Sequence, residues 1–466
     1  MDGILRRTKI VATIGPACDA PGVLERVLAV GVDVARLNAS HGSKDDLARR
    51  LAAVREASKG LGRMVAVMLD LPGPKLRVGQ VASGTTLLGG TEFHLLSREC
   101  EGDAEHACIS YTDLGADVSA GDRIMIDDGA IELTVLSAHP GEVVTRVVQG
   151  GCLLSRKGVN VPDRRLSVSS VTPADLEMLA WGLDAGVDLV AQSFVRDAAD
   201  VELLRSAMGS HRVPLIAKIE KHEALECLDE IIAAADALMV ARGDIAVETS
   251  PEAVPPAQRR IVQGCRAAGR PVIVATQMLE SMTSAPRPTR AEASDVATAV
   301  FEGADAVMLS GETAVGAFPV EAVATMGSVC RAAEDAGPSA GVPRPSGSVT
   351  AAVAAAACDL AFAVGAVAVL TATESGTTAR SVAACRPPVP VLAVTPVETV
   401  ARALSLVWGV TSCVTKPQDS IEATTAVALE VARSSRLARA GDSVVLTAGT
   451  AVGVAGSTDL IRVLTV

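Results

Sequence analysis

At 466 residues the chain is longer than one hydrophobic core usually organises, which predicts two or three domains. Its hydrophobic fraction of 49% holds only 2% aromatics, so the core must be built from Val, Ala, Leu and Ile, a composition that suits parallel strands covered by helices. A net charge of −12 leaves no basic stripe for nucleic acid, and no apolar run is long enough to span a bilayer. The N-terminal MDGILRRTKI passes straight into a strand-like segment without an apolar leader, which predicts a cytoplasmic protein that binds neither nucleic acid nor membrane. Ten cysteines between Cys18 and Cys413 contain no Cys-x-x-Cys pair, which predicts reduced thiols packed as small hydrophobes.

In chain order, strand-like runs appear at IVATIG (10–15), VDVARLN (32–38), MVAVMLD (64–70), VDLVAQSF (187–194), LIAKIE (215–220), ALMVARG (237–243), VIVATQ (272–277) and ADAVMLSG (304–311). Helical patterns rich in Ala, Leu, Glu and Arg separate most of them, and eight such units predict a (β/α)₈ barrel. AGVDLVAQS, AADALMVAR and EGADAVMLS each set Asp at the start of an apolar strand, either as a repeat or as ordinary punctuation. The rhythm breaks after Asp70: residues 75–158 are rich in Gly, Val and Thr with turns such as LGG and DDG, which predicts a separate small β domain inserted after strand three. GPSAGVPRPSGS (337–348) reads as a linker. Beyond it VAVLTAT, PVLAVTP, DSVVLTAG and DLIRVLTV alternate with Ala-rich helices, as in an open α/β domain. The expected division is a discontinuous barrel at 1–74 and 159–338, an inserted β domain at 75–158 and a C-terminal α/β domain at 339–466.

Active sites of such barrels lie at the C-terminal strand ends, where polar residues are plentiful here. Period-two alternation aims Arg36, Asn38 and Ser40 to one side. Strand five ends in Lys218 and Glu220, either functional groups or an ion pair closing the barrel top. Strand six delivers Gly243 and Asp244; two carboxylates with room for water and phosphate oxygens suit Mg²⁺. Thr276, Ser310 and Glu312 follow from strands seven and eight, the last two serving equally well as a helix cap. These residues describe a Mg²⁺-assisted site for a small anionic, phosphorylated or enolate-like substrate.

Several runs carry a resemblance further. VPLIAKIEKHEAL (213–225), TKIVATIGPA (8–17), ARLNASHG (35–42), DDGAIEL (127–133), KGVN (157–160), ARGD (241–244), ATQMLESM (275–282), PRPTRAEASDVA (286–297) and MLSGETA (308–314) together are similar to the motifs of the pyruvate kinases, in order through the barrel. The resemblance implies phosphoryl transfer from phosphoenolpyruvate to ADP in a homotetramer. It places phosphoenolpyruvate against Arg36, Gly243, Asp244 and Thr276, Mg²⁺ on Glu220 and Asp244, and Lys218 beside the phosphoryl group in flight. Nucleotide phosphates fall to Asn38, His41, Arg77 and Lys157, the last two from the edges of the inserted β domain, which the resemblance makes a lid. Rival readings are a Mg²⁺-dependent barrel lyase or aldolase acting on keto acids, which needs no nucleotide clamp, and a catalytically inert metabolite sensor.

Two further expectations concern regulation and ions. The loop Thr373, Glu374, Ser375, Gly376, Thr377 and Thr378 follows a strand and opens a helix, offering hydroxyls and free N–H groups to the phosphate of a sugar phosphate or nucleoside monophosphate. In K⁺-dependent members the resemblance puts the ion near Asn38, Ser40, Asp70 and the carbonyl of Leu71. Here Lys75 stands where those members carry glutamate, and a fixed ammonium in that place predicts activity without K⁺.

Overall fold

The computed structural model describes residues 6–162, 164–337, 347–450, 456 and 458–466. Eight parallel strands close into a barrel: β1 (Lys9–Thr13), β2 (Val34–Asn38), β3 (Ala66–Asp70), β4 (Leu189–Gln192), β5 (Leu215–Ile219), β6 (Ala237–Ala241), β7 (Val272–Ala275) and β8 (Ala306–Leu309). Each lies beside its neighbours in chain order, and β1 closes on β8 with Lys9 opposite Ala306. Most strand residues are buried on both faces because helices cover the outside, which is why the strands read as continuous apolar runs. Alternate residues, among them Val11, Val34, Met68, Ala191, Ile216, Met239, Ile273 and Met308, fill the interior, and Leu406 of the C-terminal domain packs into the same cluster.

The Asp–strand repeat has a structural basis. Asp33, Asp188, Asp236 and Asp305 each stand just before a barrel strand. Their carboxylates accept the backbone N–H of Ile10, Val67, Leu215 and Val272 at 2.8, 2.7, 2.9 and 3.0 Å. Each Asp N–H in turn donates to the carbonyl of that same partner at 2.9 Å. Four neighbouring strand pairs are therefore clasped at the N-terminal end of the barrel.

Between β3 and β4 the chain forms a seven-stranded sheet with its own core around Phe93, Ile124, Leu133 and Val147. Its first strand, Leu76–Arg77, and its last, Gly158–Asn160, pair antiparallel, so both connections to the barrel run side by side. The C-terminal domain is a five-stranded sheet: β9 (Ala368–Ala372), β10 (Val391–Thr395), β11 (Val410–Val414), β12 (Ser443–Gly449) and β13 (Thr458–Thr465), in spatial order 11-10-9-12-13 with β13 antiparallel. Sequence reading found four of these strands. The fifth, VTSCV, is a half-exposed edge strand with hydroxyls in place of an apolar run. The stretch 338–346 of the expected linker lies outside the described residues. None of the ten cysteines is in a disulfide, and among the described residues no helix is long and apolar enough to cross a membrane.

Candidate active site

The period-two alternation that packs the barrel interior continues one step further at the C-terminal mouth, where it turns polar. Thr13 lies two residues past Val11, Arg36 past Val34, Asp70 past Met68 and Lys218 past Ile216, so the uppermost interior layer is charged. Arg36 reaches Asp70 Oδ2 with Nε at 2.7 Å and Thr13 Oγ1 with Nη1 at 2.9 Å. Lys218 Nζ is shared by Ser193 Oγ at 2.7 Å, Glu220 Oε1 at 2.9 Å and Asp70 Oδ1 at 3.3 Å. The Lys218–Glu220 pair thus exists, and it is one edge of a larger network. Burial opposes the Lys218 charge, but Asp70 and Glu220 more than offset it, so the ammonium is held more firmly protonated than a free lysine.

Two strand ends are held in backbone conformations that side chains rarely adopt. Phe194 has φ of 56°, and its N–H donates to Glu220 Oε2 at 2.7 Å. Thr276 and Gln277 have φ of 69° and 53°. Such strain persists where surrounding contacts fix it, and here the buried Arg242 does so, bonding the Thr276 carbonyl and pairing with Asp295 at 2.6 Å. The Thr276 hydroxyl accepts the Gly243 N–H at 2.9 Å, which joins the ends of β6 and β7.

Asp244 sits in the first turn of the short helix Arg242–Glu248. Its carboxyl is pushed up to about 6, first by burial and then by the negative Glu220, with Lys75 and Lys218 opposing. Lys75 Nζ lies 4.0 Å from Asp244 Oδ1. Two carboxylates, one of them reluctant to ionise because it is buried and the other is near, form a site that a cation relieves, so Glu220 and Asp244 fit a hard divalent metal.

The other expected residues have separate partners. Asn38 ends β2, and its side-chain oxygen accepts the Ser40 N–H at 3.1 Å in a turn closed by His41 N–H on the Asn38 carbonyl. Alternation therefore stops at Asn38, and Ser40 and His41 are exposed instead of pointing inward with Arg36. Arg77 donates to the Arg156 carbonyl at 3.0 Å, and Lys157 pairs with Asp127 at 2.9 Å. None of these bonds reaches the Lys218 network. The Leu71 carbonyl accepts the Ser193 hydroxyl at 2.7 Å. Glu312 is 1% exposed and holds the N–H groups of Ser310 and Leu279, which makes it a local tie. Sequence reading passed over Thr13 and Ser193, although extending the alternation of β1 and β4 past the last apolar residue points to both.

A (β/α)₈ barrel with a buried lysine among carboxylates at its mouth, and a β domain inserted at the rim, defines a metal-assisted enzyme for small anionic substrates. Residues 5–323 match the model of the pyruvate kinase barrel domain, and residues 351–464 match that of the pyruvate kinase alpha/beta domain. Among similar proteins are pyruvate kinases of Geobacillus stearothermophilus, 43% identical over 98% of this chain and 80% of the relative, and of Mycobacterium tuberculosis H37Rv, 44% identical over 98% of both. A pyruvate kinase of Agrobacterium vitis is 43% identical over 98% of both. The chain belongs to the pyruvate kinase family. It is a phosphotransferase, and its function is transfer of the phosphoryl group of phosphoenolpyruvate to ADP, which in this family requires a divalent metal.

Proposed function

We propose that the Lys218 network is the centre where this transfer occurs, with Mg²⁺ as the metal and Glu220 and Asp244 as its protein ligands. The observation that supports this most is the Lys218 ammonium, fixed by Asp70, Glu220 and Ser193 beside Asp244. A cation held by its surroundings before substrate arrives costs no reorganisation when charge develops on the transferring group. When bound, Mg²⁺ supplies further positive charge to the phosphoryl and enolate oxygens. Arg36 binds the phosphate of phosphoenolpyruvate, while the Gly243–Asp244 turn and the Thr276 hydroxyl orient its carboxylate and enol. Lys218 stays charged throughout and donates hydrogen bonds to the phosphoryl oxygens as they move.

Asn38, His41, Arg77 and Lys157 hold the nucleotide phosphates. The last two belong to the inserted domain, residues 75–158, which closes over the mouth and excludes the water that would otherwise take the phosphoryl group. The residue 1–74 and 159–338 segments form the catalytic unit and 339–466 the regulatory one. Lys75 takes the place of K⁺, so the cage of Asn38, Ser40, Asp70 and Leu71 is dispensable. Thr373, Ser375, Gly376, Thr377 and Thr378 receive a phosphorylated effector, and the working form is a cytoplasmic homotetramer. Initial rates of pyruvate formation from phosphoenolpyruvate and ADP, with and without Mg²⁺, test the central reading. Mg²⁺-independent turnover, or full activity in Asp244→Asn, overturns it.

A further inference from the structure

Just past Glu220, at the hinge of the inserted domain, three side chains meet without completing one another's hydrogen bonds. His222, Glu223 and Glu248 each offer one ligand atom, a ring nitrogen or a carboxylate oxygen, and these atoms lie within 4.8 Å of one another. Three of their atoms stand out: His222 Nδ1, Glu223 Oε2 and Glu248 Oε2. Each of these atoms is sealed from water and lacks a hydrogen-bond partner. Glu223 and Glu248 are 7% and 3% exposed. His222 Nδ1 stands 3.2 Å from Glu223 Oε2 and 3.9 Å from Glu248 Oε2, close but not aligned for hydrogen bonding. A buried polar atom left unpaired loses its hydration without recompense, so three converging on one point call for a ligand.

We propose that His222, Glu223 and Glu248 bind a divalent transition-metal ion of the Zn²⁺ class at the hinge between the barrel and the inserted domain. One imidazole nitrogen with two carboxylate oxygens is a donor set for such ions. Mg²⁺ prefers oxygen ligands and retained water, which separates this site from the catalytic pair. Atoms bound about 2.0–2.2 Å from one ion lie roughly 3–4 Å apart, so the two His222 contacts already have the spacing of shared ligation. A cavity of about 30 Å³ lined by Pro74, Asn160, Phe194, Lys221 and Glu223 adjoins the cluster and has room for one water on the ion.

The charges facing the site allow a cation. Lys221 Nζ holds Glu248 Oε1 at 2.8 Å, and Arg196, which also faces the cavity, is engaged by Asp200. Glu248 and then Glu223 hold a proton on the His222 imidazole more tightly than usual, so the ion binds by displacing that proton, and two carboxylates against one ammonium then leave a net negative pocket. The same Glu248 Oε1 accepts Asn160 Nδ2 at 2.7 Å, and Asn160 ends the last strand of the inserted domain. A bound ion and the lid thus share one carboxylate, so binding braces the hinge and slows each opening.

The test uses the full chain with the catalytic site saturated by Mg²⁺, and Co²⁺ as a spectroscopic probe. One equivalent of Co²⁺ with visible absorption characteristic of imidazole ligation is expected, displaced by Zn²⁺. It should be weakened at least ~10-fold in His222→Gln and in Glu223→Gln and unaltered in Asp244→Asn. His222→Gln should turn over at the wild-type rate in Mg²⁺ alone and escape inhibition by Zn²⁺. Circular dichroism confirms that each variant is folded. Co²⁺ binding that survives His222→Gln but disappears in Asp244→Asn, or no binding in the presence of Mg²⁺, overturns the site and makes His222 a protonated partner of the two carboxylates.

Discussion

At the N-terminal end of the barrel four aspartates each close one strand pair with two hydrogen bonds, one accepted by the carboxylate and one donated by the backbone; at the C-terminal end the same strands terminate in groups that compete for one another. Asp188 at the lower end has a fixed backbone donor and two arginines, Arg55 at 2.7 Å and Arg402 at 3.8 Å, although burial still raises its carboxyl and its Oδ1 accepts no hydrogen bond. Asp244 at the upper end is paired with Lys75 at 4.0 Å, feels Lys218 as a further positive charge, and is still pushed up to about 6 by burial and Glu220. Left-handed Phe194, Thr276 and Gln277 also fall at the upper end. Carboxylates with committed partners stabilise a fold, whereas carboxylates short of positive charge are available to a metal and an anionic substrate.

The largest test of this contrast removes the upper cation. Lys218→Met should fold and still bind substrate, yet lose phosphoryl transfer by roughly 10³-fold or more in kcat, because the fixed donor to the transferring group is gone. Turnover near that of the wild type would break the assignment. The matching change below is Asp188→Ala, which strands the Val67 N–H and leaves Arg55 without its nearest carboxylate. It should lower unfolding stability by roughly 2–4 kcal/mol, read from the urea midpoint, with kcat within about twofold. A large fall in kcat with unchanged stability would mean that the lower end takes part in catalysis.

All eight barrel strands were legible because strands buried on both faces must be apolar throughout, and helices between them fix the parallel order. The charged mouth was legible where a long side chain interrupts such a run, as at Arg36, Lys218 and Glu220. Small hydroxyls gave weaker signals: Thr13 and Ser193 sit on the same inward face but look like ordinary strand ends. Ser40 was misplaced because nothing in ARLNASHG announces that the Asn38 side chain turns the chain at that point. The role of Arg242 in holding the Thr276 backbone depends on β6 and β7 being neighbours, a tertiary fact. The hinge cluster depends on Glu248 returning to His222 across a helix, and no periodicity encodes that approach.

A smaller effect is expected at the rim between the two ends. Lys75→Glu replaces the ammonium paired to Asp244 with a third carboxylate beside Asp244 and Glu220. At 4 Å, opposite charges attract by about 4 kcal/mol at an effective dielectric of 20, less here because Lys75 is about one-third exposed. The variant should lose roughly tenfold in rate when K⁺ and Na⁺ are replaced by a bulky organic cation at constant ionic strength, and K⁺ should restore it. The unaltered enzyme should show no such dependence. K⁺ dependence in the wild type would mean that Lys75 does not stand in for the ion.

The smallest effect asks whether the lower end is purely structural. The Ser375 hydroxyl bonds Thr377, and Arg380 donates to the same Thr377 hydroxyl at 3.2 Å. Ser375 and Arg380 also line a cleft of about 260 Å³ between the C-terminal domain and the barrel base, where Arg205, Arg212, Arg270 and the clasp residue Asp236 face them. An effector phosphate received by this loop would lie beside a strand clasp, so its binding energy could reach the barrel without crossing the mouth. Ser375→Asp places a carboxylate where the phosphate is expected and should leave the basal rate unchanged. Activation by sugar phosphates and nucleoside monophosphates, several-fold in the unaltered enzyme, should vanish from initial-rate curves at low phosphoenolpyruvate. Activation that persists in the variant for every such metabolite makes the loop a plain helix start and leaves the lower end with stability as its whole task.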